Sequence, residues 1–152
     1  MKESGKNHLF GQAVVVWLGL LVFAVINGYF RVNFLEPQVG SEVAHFVSTT
    51  TLCGAVFLAT LLFIGNQRLT PAPRDLFGIG LLWSTSTVLF ETILGLAAGR
   101  RSATDLFADY DLLRGRLFVF VLVAEVAAPP LVGWFRDRVE RGPKGTIRSS
   151  AR

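Results

Sequence analysis

The stretch AVVVWLGLLVFAVINGYF, residues 13–30, decides the fold class, because Asn27 is its only strongly polar residue. A helix needs about 20 mostly apolar residues to cross a membrane, and three further stretches of this kind follow. The four predicted spans cover residues 13–30, 44–65, 76–99 and 117–135, and Glu36–Pro37 marks the predicted break between the first two. The sequence therefore predicts an all-α integral membrane protein, a bundle of four transmembrane helices.

The composition favours the same class. Only 17% of the 152 residues are charged, whereas a soluble domain carries roughly 25%. Lys2 and Lys6 precede the first span as in a signal peptide, but no cleavage site of small residues follows it. The first span is therefore predicted to be retained. The single cysteine, Cys53, lies in an apolar run and predicts neither a disulfide within the chain nor a metal site.

The positions of the charged residues predict where the tails and the membrane domain lie and how the chain is oriented in the membrane. Residues 1–12 form a predicted N-terminal tail, residues 13–135 the membrane domain, and residues 136–152 a basic C-terminal tail. Ten Lys and Arg residues fall on the side of the two tails and five on the other side, which predicts cytoplasmic termini. The C-terminal tail is predicted to contact anionic lipid. Binding of nucleic acid by this tail is the weaker alternative, because the tail has no interleaved aromatic residues.

Polar residues gather at one end of the predicted bundle. Because successive helices alternate in direction, the end of span one, the start of span two, the end of span three and the start of span four share one side of the membrane. This convergence holds in either orientation. The predicted polar cluster consists of Asn27, Arg31, His45, Ser48, Glu91 and Arg116.

Glu91 belongs to a face of small and hydroxyl residues on span three, which Gly80, Ser84, Thr87 and Gly95 complete. Such faces usually pack closely against another membrane helix, so Glu91 is expected to point into the bundle. A charge at that depth costs on the order of 3 kcal/mol and needs a partner or a proton. The candidate partners are Arg31, Arg116 and His45. Either a structural ion pair or a ligand site satisfies this pattern.

Glu125 lies on an otherwise apolar face of span four, four residues before Pro129. Pro129 and Pro130 have no N–H, so the carbonyls of Glu125 and Val126 lose their helical partners. A kink is expected there. The interpretation of a simple bend is favoured over that of a broken helix lining a transport site.

The third loop is predicted to form a short interfacial helix before the fourth span, because its apolar residues fall at helical spacing after Ser102 and Thr104. Asp109, Tyr110 and Arg114 lie in or just after this helix and, with Glu125, form a secondary set of candidate residues. Pairing of Asp109 with Arg114 is favoured over a metal site, since the loop lacks the glycine turn of a calcium site.

Motifs for common enzyme classes are absent from the sequence: it has no phosphate-binding glycine loop, CxxC, HExxH or GxSxG. The sequence therefore predicts no cofactor, no metal and no catalytic residue. A membrane enzyme that holds a phosphate with Arg31 and Arg116 is the least favoured hypothesis.

Several motifs resemble a family of uncharacterised small bacterial four-span inner-membrane proteins. They are NGYFR at residues 27–31, AHFVS at residues 44–48, Phe90–Glu91, and ADYDLLRGRL at residues 108–117. The resemblance covers most of the chain from span one to span four. The resemblance implies a bacterial inner-membrane location but does not imply any particular activity.

Two functions remain open on the sequence alone. The first is a membrane protein whose polar pocket binds a ligand, a lipid head group or a partner helix without catalysis. The alternative is a small transporter or proton-coupled carrier subunit in which Glu91 and Glu125 titrate, and which forms a homo-oligomer because four spans are few for a transport pathway.

Overall fold

The structure is a computed structural model that describes residues 3–68, 70–97 and 118–141. These residues form α1 (Glu3–Phe30), a π-helical segment (Arg31–Leu35), α2 (Glu36–Val39), α3 (Ser41–Gly65), α4 (Pro73–Ala97) and α5 (Phe118–Arg141). Four stretches are long and apolar enough to cross a membrane: Gly5–Val39, Ser41–Gly65, Pro73–Leu94 and Phe118–Glu140. The prediction of an all-α bundle with four membrane-spanning helices is confirmed. The predicted interfacial helix and the tail beyond Arg141 lie outside the described residues.

Large apolar side chains cover the outside of the long helices. Examples are Val22 on α1, Leu62 on α3, Leu89 on α4 and Val123 on α5, all of which are exposed. A soluble protein rarely exposes so continuous an apolar surface, whereas lipid tails solvate it. The chain is accordingly a multi-pass membrane protein.

The helices are arranged around the bundle in the order α1, α3, α5, α4. Helix α5 packs extensively against both α4 and α3, whereas α1 packs against α3 and, over a smaller area, against α4. Helices α1 and α4 run towards the end of the bundle that contains Arg31, and α3 and α5 run away from it. We call this end the Arg31 end and the opposite end, which contains Arg136, the Arg136 end.

Trp83 fills the centre of the bundle towards the Arg136 end. Its side chain is 0% exposed, and its ring lies 6.3 Å from that of Phe63 on α3, measured between centroids. Its Nε1 donates a hydrogen bond of 2.8 Å to the carbonyl oxygen of Ala13 on α1. An unsatisfied N–H at this depth would be costly, so this bond fixes the orientation of the indole and joins α4 to α1.

Gly80 allows α4 and α5 to approach closely. A Cβ atom at this position would lie 2.7 Å from the Val126 carbonyl oxygen and 2.9 Å from that of Glu125. These are the two carbonyls that Pro129 and Pro130 deprive of N–H donors. The glycine backbone therefore covers them directly, and α5 remains helical through both prolines. The close packing expected for the small face of α4 is present at this position.

Arg136 ties α5 to the end of α3. Its Nη2 donates a hydrogen bond of 2.8 Å to the Gln67 carbonyl oxygen, its Nη1 donates to that of Ile64, and its Nε lies 2.7 Å from Glu140 Oε1. A cation is favourable at the C-terminal end of a helix, where backbone carbonyls concentrate partial negative charge. The Ile64 carbonyl oxygen also accepts from the Gln67 N–H at 3.1 Å. The sequence analysis placed Arg136 in a tail, but α5 continues to Arg141.

The first span is longer than its apolar run. Helix α1 begins at Glu3, inside the predicted N-terminal tail, and the helical path continues to Val39. The break predicted at Glu36–Pro37 lies instead at Gly40, whose φ of +83° is a left-handed conformation that glycine adopts readily. Pro37 does not end the path because it stands in the first turn of α2, where a helix does not need its N–H.

Candidate ligand-binding site

A cavity of about 710 Å³ lies between the four long helices at the Arg31 end, bounded by described residues. Its wall is mostly apolar, and each helix contributes to it: Leu20 from α1, Leu52 from α3, Phe90 from α4 and Val121 from α5. Ligand cavities typically measure about 300–1,000 Å³ and combine apolar walls with a few polar groups. The cavity has the size and the wall chemistry of such a site.

Glu125 is a buried carboxylate on the wall of this cavity. Its side chain is 3% exposed and lies two turns into α5. Thr87 Oγ1 on α4 donates a hydrogen bond of 2.8 Å to Glu125 Oε1, and Trp17 Nε1 on α1 donates one of 3.1 Å to Thr87 Oγ1. The chain Trp17–Thr87–Glu125 thus crosses three helices and fixes the direction of the threonine hydroxyl.

The second carboxylate oxygen of Glu125 has no hydrogen-bond partner among the described residues. Oε2 is buried, and among the described residues no donor reaches it. A buried acceptor left unsatisfied costs about 1–3 kcal/mol, and more when it is charged. Glu125 therefore keeps the capacity to accept a hydrogen bond or to pair with a cation from a molecule that occupies the cavity.

The polar groups nearer the Arg31 end join α1 to α3. Asn27 Nδ2 donates to Ser48 Oγ at 2.7 Å and to the Ser48 carbonyl oxygen at 3.0 Å. His45 is half-buried one turn before Ser48. Arg31 Nη1 lies 4.0 Å from Glu36 Oε2, so among the described residues Arg31 forms its ion pair with Glu36. From the sequence, Glu36 was considered only as part of the predicted break between the first two spans.

The π-helical segment at Arg31–Leu35 shapes this part of the wall. The Glu36 N–H bonds to the Arg31 carbonyl oxygen, and Asn33 Nδ2 donates to the Tyr29 carbonyl oxygen at 2.9 Å. Pro37 has no N–H with which to continue a regular ladder. Arg31, Val32 and Asn33 of this segment line the cavity. Such π-helical turns occur frequently at functional sites.

The structure brings most of the predicted polar cluster to this one cavity. Asn27, Arg31, His45, Ser48 and Glu91 all line it. Arg116, with Asp109, Tyr110 and Arg114 of the secondary set, lies outside the described residues. Among the described residues, no three His, Cys, Asp or Glu side chains form a group suited to a metal ion.

The structure buries the two membrane carboxylates to different extents. Glu91, which belongs to the predicted polar cluster, lines the cavity with an exposed side chain, whereas Glu125, from the secondary set, is buried. The polar partners of Glu125 come from α4 and α1 and not from its own apolar helix face. Trp17 was not among the predicted site residues. The available signal was its indole N–H, which needs an acceptor when it is buried.

Searches with the chain matched no protein-family model, no curated protein and no solved structure.

Proposed function

We propose that this protein is a membrane-embedded binding protein that holds a ligand in the cavity at the Arg31 end, without catalysis. The observation that carries the proposal is Glu125, a buried carboxylate with an unpartnered oxygen on the wall of a 710 Å³ cavity. Groups that lower stability in this way are retained mainly where function requires them. A purely structural carboxylate would have both of its oxygens satisfied.

The remaining polar wall residues give the site two levels. Glu125 and Thr87 form the deeper level, one hydrogen bond apart at 2.8 Å. Arg31, His45 and Asn27 form the level nearer the end of the bundle. A ligand that fills the cavity would meet an acceptor at the deeper level, apolar walls along its length and a guanidinium at the outer level.

The location and orientation of the protein form part of this proposal. The excess of Lys and Arg on the side of the two tails supports cytoplasmic termini, and the resemblance described above supports a bacterial inner membrane. In that orientation the Arg31 end faces the outer side. A ligand would then enter from the outer leaflet or from the space outside the membrane.

The first test is native mass spectrometry of the protein in lipid nanodiscs. Wild type should carry a non-covalent small molecule or lipid, and Glu125→Gln should lose it. Glu42→Gln is the matched control, because it removes the same charge from an exposed position at the Arg31 end. An identical ligand-free mass for all three proteins would count against a binding function and favour a structural role for the cavity residues.

A second candidate function is a proton-coupled carrier subunit. The observation in its favour is that two membrane carboxylates, Glu125 and Glu91, line one cavity, and that Glu125 lies one turn before the proline pair of α5. Proteoliposomes loaded with a pH-sensitive dye distinguish the two functions. A carrier would be supported if an applied membrane potential drove a proton flux through wild type and Glu125→Gln abolished that flux. If wild type gave no flux above that of empty liposomes, the result would favour the binding function.

A further inference from the structure

We propose that the ligand of this cavity is an amphiphilic primary amine: an ammonium group that donates to Glu125 Oε2, attached to an apolar body that fills the rest of the cavity. This inference rests on the proposed binding function and gives it a ligand class. The hydrogen bonds of Glu125, the charges around it and the chemistry of the cavity wall support it.

The hydrogen bonds of Glu125 leave one carboxylate oxygen that needs a donor. An ionised carboxylate accepts through both of its oxygens, and here Oε1 receives the Thr87 hydroxyl at 2.8 Å while Oε2 receives nothing from the described residues. The Thr87 hydroxyl hydrogen is already committed, and its oxygen accepts from Trp17. The missing donor must therefore come from the occupant of the cavity.

The charges require that this donor be cationic. The nearby guanidinium of Arg31 pairs with Glu36, and the ion pairs of Lys6 and Arg136 lie at the other end of the bundle. A negatively charged group next to Glu125 would add repulsion in a medium of low dielectric constant, whereas an ammonium supplies both the charge and the N–H.

The walls require an apolar body. Aliphatic side chains such as Leu20 and Leu52 line much of the cavity, together with the rings of Tyr29, Phe90 and Phe118. Aromatic faces attract ammonium groups, and aliphatic walls bind methylene chains. A bare metal ion is a poor occupant, because Glu125 offers it a single oxygen where metal ions such as Ca²⁺ require about six or more oxygens.

Calorimetric titration of protein-loaded nanodiscs, with empty nanodiscs subtracted, tests this class with four probes of equal chain length. Octylammonium carries charge and N–H donors, octyltrimethylammonium carries charge alone, 1-octanol carries a neutral donor, and octanoate carries the opposite charge. We expect octylammonium to bind wild type at least tenfold more tightly than each of the others. Glu125→Gln should weaken octylammonium at least tenfold, and Glu42→Gln should leave it unchanged.

Two results would overturn the amine assignment while leaving a binding function in place: 1-octanol or octanoate binding as tightly as octylammonium, or octylammonium binding equally to wild type and Glu125→Gln. Should Glu125→Gln not fold, Thr87→Val serves instead. It keeps the carboxylate and removes only the donor to Oε1, so the preference for octylammonium over 1-octanol should persist. Loss of that preference in folded Thr87→Val would contradict the assignment.

The lipid composition of the nanodisc separates the two sources of such an amine. In discs that contain phosphatidylethanolamine, a lipid retained in the mass spectrum and displaced by octylammonium identifies a membrane aminophospholipid as the occupant. Equal octylammonium affinity in these discs and in discs of phosphatidylcholine and phosphatidylglycerol identifies a soluble amine. A retained lipid without an amine that octylammonium cannot displace would contradict the proposal.

Discussion

The two ends of the bundle contain similar polar residues but use them differently. At the Arg136 end, the side chains bond to one another and to helix ends: Lys6 lies 3.2 Å from Asp75, Gln67 bonds to Gln12 at 3.0 Å, and Arg136 bonds to the end of α3. At the Arg31 end, the polar side chains line a cavity, and Glu125 keeps an oxygen without a partner among the described residues.

The proposed function gives the two ends different roles, ligand binding at the Arg31 end and structural support at the Arg136 end. Satisfied polar groups contribute to stability in the bilayer, where few alternative partners exist. Unsatisfied groups lower stability and persist where they are needed for binding. Substitutions at the Arg136 end should therefore change stability and leave binding intact, whereas substitutions at the cavity should change binding first.

The largest effect on stability is expected for Arg136→Met. The substitution removes the donors to the Ile64 and Gln67 carbonyls and the ion pair with Glu140. Hydrogen bonds that involve a charged group contribute about 1.5–3 kcal/mol each, so we expect the unfolding free energy to fall by about 2–4 kcal/mol. Unfolding by dodecyl sulfate in bicelles measures the change.

The control for this variant is Arg138→Met. Arg138 lies 4.1 Å above the Trp134 ring centroid, and an exposed cation–π contact is worth only about 0.5–1 kcal/mol. Equal losses for the two variants would contradict the assignment of Arg136 as the bridge between α5 and α3. Altered octylammonium binding in Arg136→Met would contradict the separation of the two ends.

A smaller effect on stability, together with an effect on binding, is expected for Gly80→Ala. The new Cβ would lie 2.7 Å from the Val126 carbonyl oxygen, and pushing α4 away from α5 should lower the unfolding free energy by about 1–3 kcal/mol. The same shift lengthens the Thr87–Glu125 bond, so ligand affinity should also fall.

Gly54→Ala is the matched control for Gly80→Ala, because a Cβ at Gly54 meets nothing within 4 Å. Alanine is the better helix former by about 1 kcal/mol, so this variant should be unchanged or slightly more stable. If the two glycine variants behaved alike, the close approach of α4 to α5 would not determine the geometry at Glu125.

The fold was predictable because each span is set by local composition. A run such as residues 13–30 has no stable alternative to a helix in lipid, and the alternation of four such helices brings Asn27, His45 and Glu91 to one end without any knowledge of packing. The boundaries were less predictable. Pro37 suggested a break in the helical path. Because Pro37 lies in the first turn of α2, the path continues past it, and the break lies at Gly40.

The centre of the site was not predictable, because it depends on which helices are neighbours. Glu125 has no polar residue on its own helix face, and its partners Thr87 and Trp17 lie 38 and 108 positions away in the sequence. Arg136 was predicted to lie in a basic tail for the same reason, because the carbonyls to which it donates lie at the end of α3, far away in the sequence. Periodicity identifies a helix face but does not identify the helix that it contacts.

The smallest effect on stability, and one of opposite sign, is expected for Glu125→Met. The thioether is close in size to the glutamate and removes the unsatisfied oxygen. Replacing such a group with an apolar one is neutral or stabilising, and we expect the unfolding free energy to rise by about 1 kcal/mol. The freed Thr87 hydroxyl can bond to a carbonyl one turn earlier in α4, so little is lost there.

Glu140→Met gives the comparison on the same helix, since Glu140 is the partner of Arg136 at the satisfied end. That variant should be slightly less stable than wild type and should bind octylammonium normally, whereas Glu125→Met should be slightly more stable and should not bind it. If Glu125→Met were instead the less stable of the two, Glu125 would be a structural residue, and the two ends of the bundle would not differ in the way that their hydrogen bonds indicate.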